Sequence, residues 1–296
     1  MKLLLVRTGG LGDCLLTLPV ASRIKQTAPD AELHVLGNGT MLDAARLSGG
    51  FDGFHSLDDA GFAALFSGKE PSSFLRTFFS RFDAVYFFTA ADRRMISRTV
   101  SAAGARVCHV LNPNPPAAWN RHIVDYLLKI IESVDTESGF SQNDGYKLSG
   151  SGHSVKTGLV IHPGSGGVKK NWPLERFLSV AESWDGEITF ILGPAEIERG
   201  LGNAIPGGVR VVCPQSLDVL CEQLSASRVY LGNDSGVSHC AVFCGTRSVV
   251  LFGPTNPAIW RPLGEHVVVL SSDDGSMEGI GADRVLGALR ELAGYL

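Results

Sequence analysis

The chain has 296 residues, of which 44% are hydrophobic and 19% are charged, and this is enough for a sizeable core and for two domains of ordinary size. Its formal net charge of -4 argues against a general nucleic-acid binder, although it leaves room for a local basic patch. No hydrophobic run reaches the roughly 18 residues that cross a membrane. We therefore expect a soluble protein that attaches to a membrane at most peripherally.

Short hydrophobic runs alternate with helical patterns in the first half of the chain. Strands are predicted at Leu3–Val6, Glu32–Leu36, Ala84–Phe88 and Val107–Leu111. Helices are predicted at Leu15–Thr27 and Arg121–Ser133. The alternation then stops at Ser138–Lys156, a stretch rich in Gly, Ser, Asn and Asp that indicates a linker.

The alternation begins again in the second half. Strands are predicted at Gly158–Ile161, Ile188–Leu192, Val209–Val212, Arg228–Leu231, Ser248–Phe252 and His266–Leu270. Helices are predicted at Pro173–Ser183, Leu217–Leu224, Ser238–Phe243 and Gly281–Leu292.

Strand–helix alternation on both sides of a linker predicts an α/β protein with two domains, each built on a parallel sheet. We place the first domain at residues 1–150 and the second at residues 151–296. The sequence leaves open whether the last helix packs back on the first domain. Ligands of open α/β sheets bind beyond the carboxyl ends of the strands, so two such domains facing each other would form a cleft.

Six cysteines are present, and none belongs to a Cys-X-X-Cys pair. Cys240 and Cys244 are one helical turn apart in a hydrophobic segment. Their surroundings favour buried free thiols over metal ligands. The pattern suits a reducing cytoplasm.

The first glycine-rich turn, RTGGLGD from Arg7 to Asp13, follows a strand and leads into a helix. Gly9, Gly10 and Gly12 let the backbone turn sharply and leave room for a ligand. Their order differs from the Gly-X-Gly-X-X-Gly fingerprint, and no acidic residue follows the second strand to hold a ribose. Both facts argue against an NAD-dependent oxidoreductase. Asp13 suits a general base near a helix N-terminus, but spacing alone equally allows a helix cap.

The second turn is HPGSGGVKKNWP, from His162 to Pro173. Its three glycines expose backbone N–H groups, Ser165 offers a hydroxyl, and Lys169 and Lys170 add positive charge. This combination predicts a phosphate-binding loop, although it lacks the P-loop pattern. The alternative is a surface loop with solvated lysines.

The third turn, GNDSG from Gly232 to Gly236, again lies between a strand and a helix. Asp234 is predicted to be the N-cap, so the N–H groups of Ser235 and Gly236 would form an anion site at the helix N-terminus. His239 follows one turn later and suits either a core histidine or a ligand-binding one. A diphosphate at this turn would be within reach of Lys170.

Three segments that contain these turns resemble the glycosyltransferase family 9 heptosyltransferases: VRTGGLGDCLLTLPV, HPGSGGVKKNWP and GNDSGVSHCAVFCGTRSVVLFGPTNPAIW. They occur in the family's order and span nearly the whole chain. The resemblance implies a GT-B fold, with two Rossmann-like domains around a central cleft. It also implies inverting transfer of a heptose, usually from ADP-L-glycero-D-manno-heptose, to an acceptor of the lipopolysaccharide inner core.

The resemblance also implies roles for individual residues. Asp13 matches the base in the family's N-terminal turn, and Lys170 matches its donor-binding lysine. The other positions that match donor-binding residues are Ser165, Glu196, Gln215, Asp234, Ser235, Gly236 and His239. Glu196 matches the ribose contact, and Gln215 lies in the segment that flanks adenine.

The same resemblance implies a reaction without cofactor or metal. No Asp-X-Asp motif occurs in the sequence, and lysine and backbone N–H groups would replace a cation at the diphosphate. The expected partners are the nucleotide-sugar donor and a lipid-linked glycan acceptor at the cytoplasmic face of the inner membrane, with no nucleic acid.

The acceptor side is the least familiar part of the sequence. Ala90–Arg106 carries Arg93, Arg94 and Arg98, which could meet acidic groups of the acceptor, or could form an exposed basic helix. The sequence leaves two alternatives open. The same fold could use another nucleotide sugar or glycan acceptor, or the protein could bind a nucleotide sugar without catalysis.

Overall fold

The computed structural model describes residues 1–134 and 156–294, and its contacts divide the chain into two compact units, Met1–Tyr146 and Lys147–Leu296. The predicted linker, apart from Lys156 at its end, and the predicted boundary after residue 150 lie outside the described residues. Each unit contains one parallel sheet with helices, so the predicted α/β architecture with two parallel-sheet domains is confirmed.

The first unit contains a five-stranded parallel sheet with the strand order β3-β2-β1-β4-β5. Its strands are β1 (Lys2–Arg7), β2 (Glu32–Gly37), β3 (Gly53–Ser56), β4 (Ala84–Phe88) and β5 (Val107–Leu111). β1 lies at the centre, where Leu5 pairs with Val35 of β2 on one side and with Tyr86 of β4 on the other. β1 is buried from Leu3 onward, as is usual for a parallel strand covered on both faces.

Helices cover this sheet. They are α1 (Leu11–Thr27), α2 (Gly39–Ser48), α3 (Ser73–Phe79), α4 (Arg93–Ala102) and α5 (Ile123–Glu132), with a 3-10 helix at Ala60–Phe66. α1 contacts both α2 and α5. α3, α4 and the 3-10 helix contribute to a hydrophobic core rich in phenylalanine, which includes Phe62, Phe78 and Phe79.

The second unit contains a six-stranded parallel sheet with the order β11-β10-β9-β6-β7-β8. Its strands are β6 (Thr157–His162), β7 (Ile188–Ile191), β8 (Arg210–Val212), β9 (Ser227–Asn233), β10 (Arg247–Phe252) and β11 (Val267–Ser271). Its helices are α6 (Leu174–Glu182), α7 (Pro194–Glu198), α8 (Leu217–Ala226), α9 (Gly236–Phe243), α10 (Pro257–Trp260) and α11 (Ala282–Ala293), with 3-10 helices at Val168–Lys170 and Leu201–Ala204.

The core of the second unit is built around Trp172. Its ring packs edge-on against Phe177 with the ring centroids 4.9 Å apart, and its indole N–H donates to the carbonyl of Ile280 at 3.0 Å. The last helix, α11, contacts α6, β9 and β10 of this unit. None of the helices in the described ranges is long and apolar enough to span a membrane.

Both sheets have a point at which the strand order reverses. β1 lies between β2 and β4, and β6 lies between β7 and β9. Ligands of open α/β sheets bind at such switch points, beyond the carboxyl ends of the strands. The three glycine-rich turns begin at the carboxyl ends of β1, β6 and β9, so all of them lie at a switch point.

Several elements between β2 and β4 were not predicted from the sequence, namely α2, β3, the 3-10 helix and α3. α2 begins where the side chain of Asn38 accepts a hydrogen bond from the N–H of Met41 at 3.3 Å. It ends at Gly49, which has a left-handed φ of 65°. The sequence predicts only the end of a strand at Leu36-Gly37-Asn38-Gly39. In the structure β2 ends at Gly37, Asn38 is the N-cap and α2 begins at Gly39.

Candidate active site

The turn after β1 depends on a glycine at position 9. Gly9 has a φ of 150°, a conformation that residues with a side chain rarely adopt. A Cβ at Gly9 would also lie 2.8 Å from Cβ of Asp13 and 2.9 Å from its Oδ2. The side chain of Asn38 donates to the Gly9 carbonyl at 3.1 Å and ties the turn to the end of β2. The backbone of the turn therefore approaches Asp13 more closely than any other residue would allow.

Asp13 lies in the first turn of α1 and is not its cap. α1 begins at Leu11, four residues earlier than predicted, and its N-cap is Gly10, which makes no side-chain capping bond. The Asp13 carboxylate instead accepts from Nη2 of Arg7 at 3.2 Å. The helix-cap interpretation of Asp13 is therefore wrong, and the carboxylate has a specific cation as its partner.

The two members of this ion pair differ in exposure. The side chain of Arg7 is 9% exposed, whereas that of Asp13 is 46% exposed. Burial lowers the pKa of the Arg7 guanidinium, and the charge of Asp13 opposes that shift. Sequence reasoning did not identify Arg7 as a site residue, although a basic residue that ends a buried central strand is a usable signal. The result is a buried cation that holds an accessible carboxylate.

The middle loop is held by internal hydrogen bonds and by Glu196. The hydroxyl of Ser165 donates to the Gly167 carbonyl at 3.1 Å, which places it in a tight local turn. A Cβ on Gly164 would lie 2.0 Å from Oε1 of Glu196, so the loop backbone is pressed against that carboxylate. The Oε2 atom of Glu196 accepts from the Gly193 N–H at 2.9 Å, at the start of α7. Glu196 is buried and lies directly beneath the loop.

His162, which ends β6, belongs to the same supporting structure. Its Nδ1 lies 3.0 Å from the carbonyl of Ile191 at the end of β7. Burial lowers the pKa of this imidazole, which favours its neutral form. The histidine thus connects the ends of two neighbouring strands.

Lys170 and Asp234 join the loops that follow β6 and β9. Nζ of Lys170 lies 2.7 Å from Oδ2 of Asp234. The side chain of Asp234 is 8% exposed, whereas that of Lys170 is 36% exposed. Lys170 ends the 3-10 helix Val168–Lys170, and its ammonium therefore lies at the third turn, where a diphosphate is predicted.

Asn233 joins the same two loops through its side chain, and sequence reasoning did not identify it. Its Oδ1 accepts from the N–H of Trp172 at 3.1 Å, and its Nδ2 donates to the carbonyl of Pro163 at 2.8 Å. Asn233 is fully buried. A polar residue at the end of a buried strand is the signal that could have identified it.

The predicted N-cap of α9 is wrong by one residue. Ser235, and not Asp234, is the N-cap, because its hydroxyl accepts from the N–H of Ser238 at 3.3 Å. The carboxylate of Asp234 points to Lys170 instead. The backbone N–H groups that follow the cap, and that have no partner inside the helix, are therefore those of Gly236 and Val237. His239 lies further along α9 and is buried.

Gln215 lies at the same edge of the second sheet but further from Lys170. It is exposed in the turn between β8 and α8, and its amide donates to the Cys213 carbonyl at 2.8 Å. β8 is separated from β6 by β7. The structure therefore brings Ser165, Lys170, Asp234 and Glu196 together through adjoining loops, whereas Gln215 lies two strands away.

The arginines of α4 border an open groove in the first unit. Arg93, Arg94 and Arg98 line a volume of about 750 Å³ together with Ala90, Ala91, Asp92, Ser97 and Val110. The side chain of Asp92 caps the helix by accepting from the N–H groups of Arg94 and Met95, each at 3.1 Å. α4 follows β4, the neighbour of β1, so the groove and the Asp13 turn lie at the same edge of one sheet.

A family model and a related protein both place the chain among the heptosyltransferases. The model of glycosyltransferase family 9 (heptosyltransferase) matches residues 122–287, which is more than half of the chain. Lipopolysaccharide heptosyltransferase 3 of Escherichia coli K12 is 22% identical over 293 residues, covering 87% of this chain and 84% of that protein.

Two solved structures share the fold along the whole chain. E. coli ADP-heptose lipopolysaccharide heptosyltransferase II has a TM-score of 0.79 at 17% identity, covering 100% of this chain and 99% of that one. E. coli heptosyltransferase WaaC with ADP has a TM-score of 0.76 at 18% identity, covering 99% of this chain and 100% of that one. The chain belongs to glycosyltransferase family 9, the heptosyltransferase family, and it is a glycosyltransferase with the GT-B fold.

Proposed function

We propose that this protein transfers a heptose from ADP-L-glycero-D-manno-heptose to an acceptor of the lipopolysaccharide inner core, with Asp13 as the general base. The names of its relatives support this class of donor and acceptor, since one is described with ADP and the others as lipopolysaccharide heptosyltransferases. The observation that carries the proposal is a row of donor-binding candidates along one edge of the second sheet.

The row follows four neighbouring strands. Asp234 comes after β9, Lys170 after β6, Glu196 after β7 and Gln215 after β8, and these strands are adjacent in that order. With neighbouring strands about 4.8 Å apart, the row extends over roughly 14 Å. An extended nucleoside diphosphate has the same linear order, with the diphosphate at Lys170, the ribose at Glu196 and the base near Gln215.

The diphosphate end of this row carries positive charge. Lys170 is oriented by Asp234 and is still partly exposed, so its ammonium remains accessible to an anion. The first N–H groups of α9, next to it, are a natural anion site because of the helix dipole. In the transition state, negative charge builds up on the departing ADP. Groups already oriented toward that charge lower the barrier.

Asp13 supplies the base in this mechanism. An acceptor hydroxyl loses its proton to the carboxylate as its oxygen attacks the anomeric carbon, and ADP leaves from the opposite face, so the configuration is inverted. The exposure of the carboxylate and its fixed contact with Arg7 support this role. A carboxylate within reach of the hydroxyl is the first requirement of general base catalysis.

The arginine groove supplies a surface for the acceptor. Arg93, Arg94 and Arg98 are exposed around one open volume, and guanidinium groups bind phosphate and carboxylate in a bidentate manner. Inner-core acceptors carry both groups, on lipid A and on Kdo. An acceptor bound here would occupy the sheet edge that also carries Asp13, and it would draw the enzyme to the inner membrane surface.

We expect the transfer to need neither a cofactor nor a divalent cation at the diphosphate. Lys170 and the N-terminus of α9 supply the positive charge that a cation would otherwise provide. Adding Mg²⁺ or Mn²⁺ to the reaction should therefore leave turnover unchanged.

The first test is a thermal-shift panel with ADP, UDP, GDP and NAD at millimolar concentration. A ligand that binds the folded state raises the unfolding midpoint. We expect a shift with ADP alone, followed by formation of a heptosylated product when ADP-heptose and a core acceptor are supplied.

The other outcomes each exclude a part of the proposal. A shift with UDP or GDP instead of ADP would keep the enzyme class and replace the donor. A shift with ADP but no transfer to any core acceptor would favour a different glycan acceptor or a nucleotide-sugar binding protein. A shift with NAD alone would refute the donor site.

A further inference from the structure

We propose that Cys221, Cys240 and Cys244 form a binding site for one zinc ion that joins α8 to α9. Their three sulfur atoms all lie within 4.8 Å of one another. Sγ of Cys221 and Sγ of Cys240 are 3.5 Å apart. All three cysteines are free thiols, and within the described ranges this group has three members.

The spacing of the sulfur atoms fits a thiolate metal site. A zinc ion with zinc–sulfur bonds of about 2.3 Å in tetrahedral geometry places its sulfur ligands roughly 3.8 Å apart. One pair of sulfur atoms is 3.5 Å apart and every pair is within 4.8 Å, so shifts of about 1 Å or less would complete the geometry. A disulfide would use only two of these sulfur atoms, whereas one metal ion uses all three. Soft thiolate ligands select zinc over magnesium or calcium.

Two helices present the ligands in a way that the sequence alone does not reveal. Cys240 and Cys244 are four residues apart at the end of α9, and residues at this spacing lie on one face of a helix. Cys221 comes from α8, which packs against α9. The sequence shows only the pair on α9, and the fold brings the third thiol to it.

The surroundings suit a cation with a fourth ligand from solvent. Cys221 and Cys244 are half-buried, and Cys240 is buried, so one side of the site remains accessible to water. Cys244 is the C-cap of α9, where the helix dipole favours positive charge.

Zinc binding requires the loss of three thiol protons, which leaves the zinc and its three thiolates with one net negative charge. Lys156 donates to the carbonyl of Gly245, the residue after Cys244, at 2.9 Å. Its ammonium therefore lies close enough to offset that charge.

The site has a consequence for the helix that carries it. Cys240 is four residues from Gly236, which is about 6 Å along the helix axis. Zinc would fix the far end of the same helix whose N-terminus faces the proposed diphosphate. The ion would lie at the opposite end of that helix from the proposed diphosphate, so it would take no part in the transfer itself.

The test uses the whole protein, reduced and kept without oxygen, and Zn²⁺ as the probe. We measure zinc stoichiometry by competition with a coloured chelator, and we look for thiolate-to-metal charge-transfer absorption after substitution with Co²⁺. We expect one zinc per chain, charge-transfer bands with Co²⁺, and a higher unfolding midpoint with zinc than without it.

The matched variants are Cys221→Ser and Cys244→Ser, with Cys213→Ser as the control. Cys213 is an exposed cysteine of the same unit that lies outside the cluster. We expect zinc affinity to fall by at least about 100-fold in the two cluster variants, since even the loss of an outer contact to a ligand costs 10- to 100-fold. The control should bind zinc like the wild type. Circular dichroism without zinc checks that each variant is folded.

The proposal would be overturned if the reduced wild type bound no zinc, if the folded cluster variants bound zinc equally well, or if iron in place of zinc were the tightly bound ion. A disulfide between Cys221 and Cys240 in protein that binds no metal would also overturn it. ADP binding is measured separately, so failure of the zinc site would leave the donor site untouched, and the reverse also holds.

Discussion

The Arg7–Asp13 pair of the first unit and the Lys170–Asp234 pair of the second are built in opposite ways. Each combines one carboxylate with one cation, and each lies at the switch point of a parallel sheet. In the first unit the cation is buried, at 9% exposure, and the carboxylate is 46% exposed. In the second unit the carboxylate is buried, at 8% exposure, and the cation is 36% exposed.

This difference shows how one arrangement can serve two kinds of chemistry. The buried partner fixes the position of the other, and the exposed partner is accessible from solvent. In the proposed mechanism, the first unit would supply an acceptor for a proton, and the second would supply a positive charge for an anion. Transfer of a sugar from a nucleotide needs both, because a proton is lost from the acceptor as negative charge builds up on the leaving group.

The largest effect is expected when the exposed carboxylate of the first unit, that of Asp13, loses its charge. We expect Asp13→Asn to lower turnover by at least roughly 100-fold, which is the usual scale for a lost general base. ADP affinity should not change, because the donor residues belong to the other sheet. The measurements are single-turnover kinetics with saturating donor and calorimetry with ADP. Near-normal turnover would remove Asp13 from the mechanism.

The matching change in the second unit is Lys170→Ala. The loss of a charge-assisted hydrogen bond costs about 1.5–3 kcal/mol, so we expect ADP affinity to fall by at least about tenfold. Removal of this lysine also leaves the carboxylate of Asp234 buried without its partner, and this would add repulsion toward the diphosphate.

Lys169→Ala is the control for that change, because Lys169 is the adjacent lysine and is exposed. Calorimetry should show ADP affinity close to that of the wild type in this variant. Equal losses in both variants would mean that general positive charge of the loop, and not a positioned ammonium, holds the diphosphate.

A third change moves the base without changing its charge. Gly9→Ala would place a Cβ 2.8 Å from Cβ of Asp13, at a backbone position with a φ of 150°. We expect a loss of about 1–3 kcal/mol in the free energy of unfolding from the strained backbone. The displaced carboxylate should lower turnover by about tenfold, well within the range that a misplacement near 1 Å can cause.

Gly10→Ala is the matched control for this steric effect. A Cβ there would meet no atom within 4 Å, and the backbone is extended. Chemical denaturation and kinetics should both give values near those of the wild type. If Gly10→Ala lowered turnover as much as Gly9→Ala, the close approach to Asp13 would not be the cause.

The sequence located the strands around the site better than it located the elements between them. β1, β4 and β6 are mostly buried hydrophobic runs, and each was predicted to within one residue at either end. The stretch from α2 to α3 was not predicted, because its elements are short. The edge strand β3 is stabilised by a contact that no local pattern encodes, the stacking of His55 on His34 with the ring centroids 5.3 Å apart.

The sequence identified the three turns of the site and placed Lys170 within reach of the third, but it did not predict the two ion pairs. Motif spacing indicated Asp13, Lys170 and Asp234 one by one, whereas their ion pairs depend on where strands and loops bring the side chains. The N-cap of α9 was assigned to Asp234 instead of Ser235 because both residue types are good caps. The contact of Asp234 with Lys170 decides between them. A pattern along one segment cannot contain a contact with a residue 64 positions away.

The smallest effect is expected when the buried cation of the first unit, Arg7, is replaced. Arg7→Met removes a guanidinium whose Nε is buried and makes no hydrogen bond within residues 1–134 and 156–294. Asp13 keeps its access to water, so the free energy of unfolding should change by less than about 1 kcal/mol, since a buried charge can be replaced by a hydrophobic group without loss.

Turnover in Arg7→Met should fall by about fivefold, because a half-exposed ion pair is worth about 1 kcal/mol. In an Asp13→Asn background the same change should have no further effect, since Arg7 would act only through the carboxylate it holds. The double-mutant cycle in turnover, with urea denaturation of all four proteins, measures both quantities. A further loss in the double variant would show that Arg7 meets the substrate itself, and the buried partner of the first unit would then be more than a support for the exposed one.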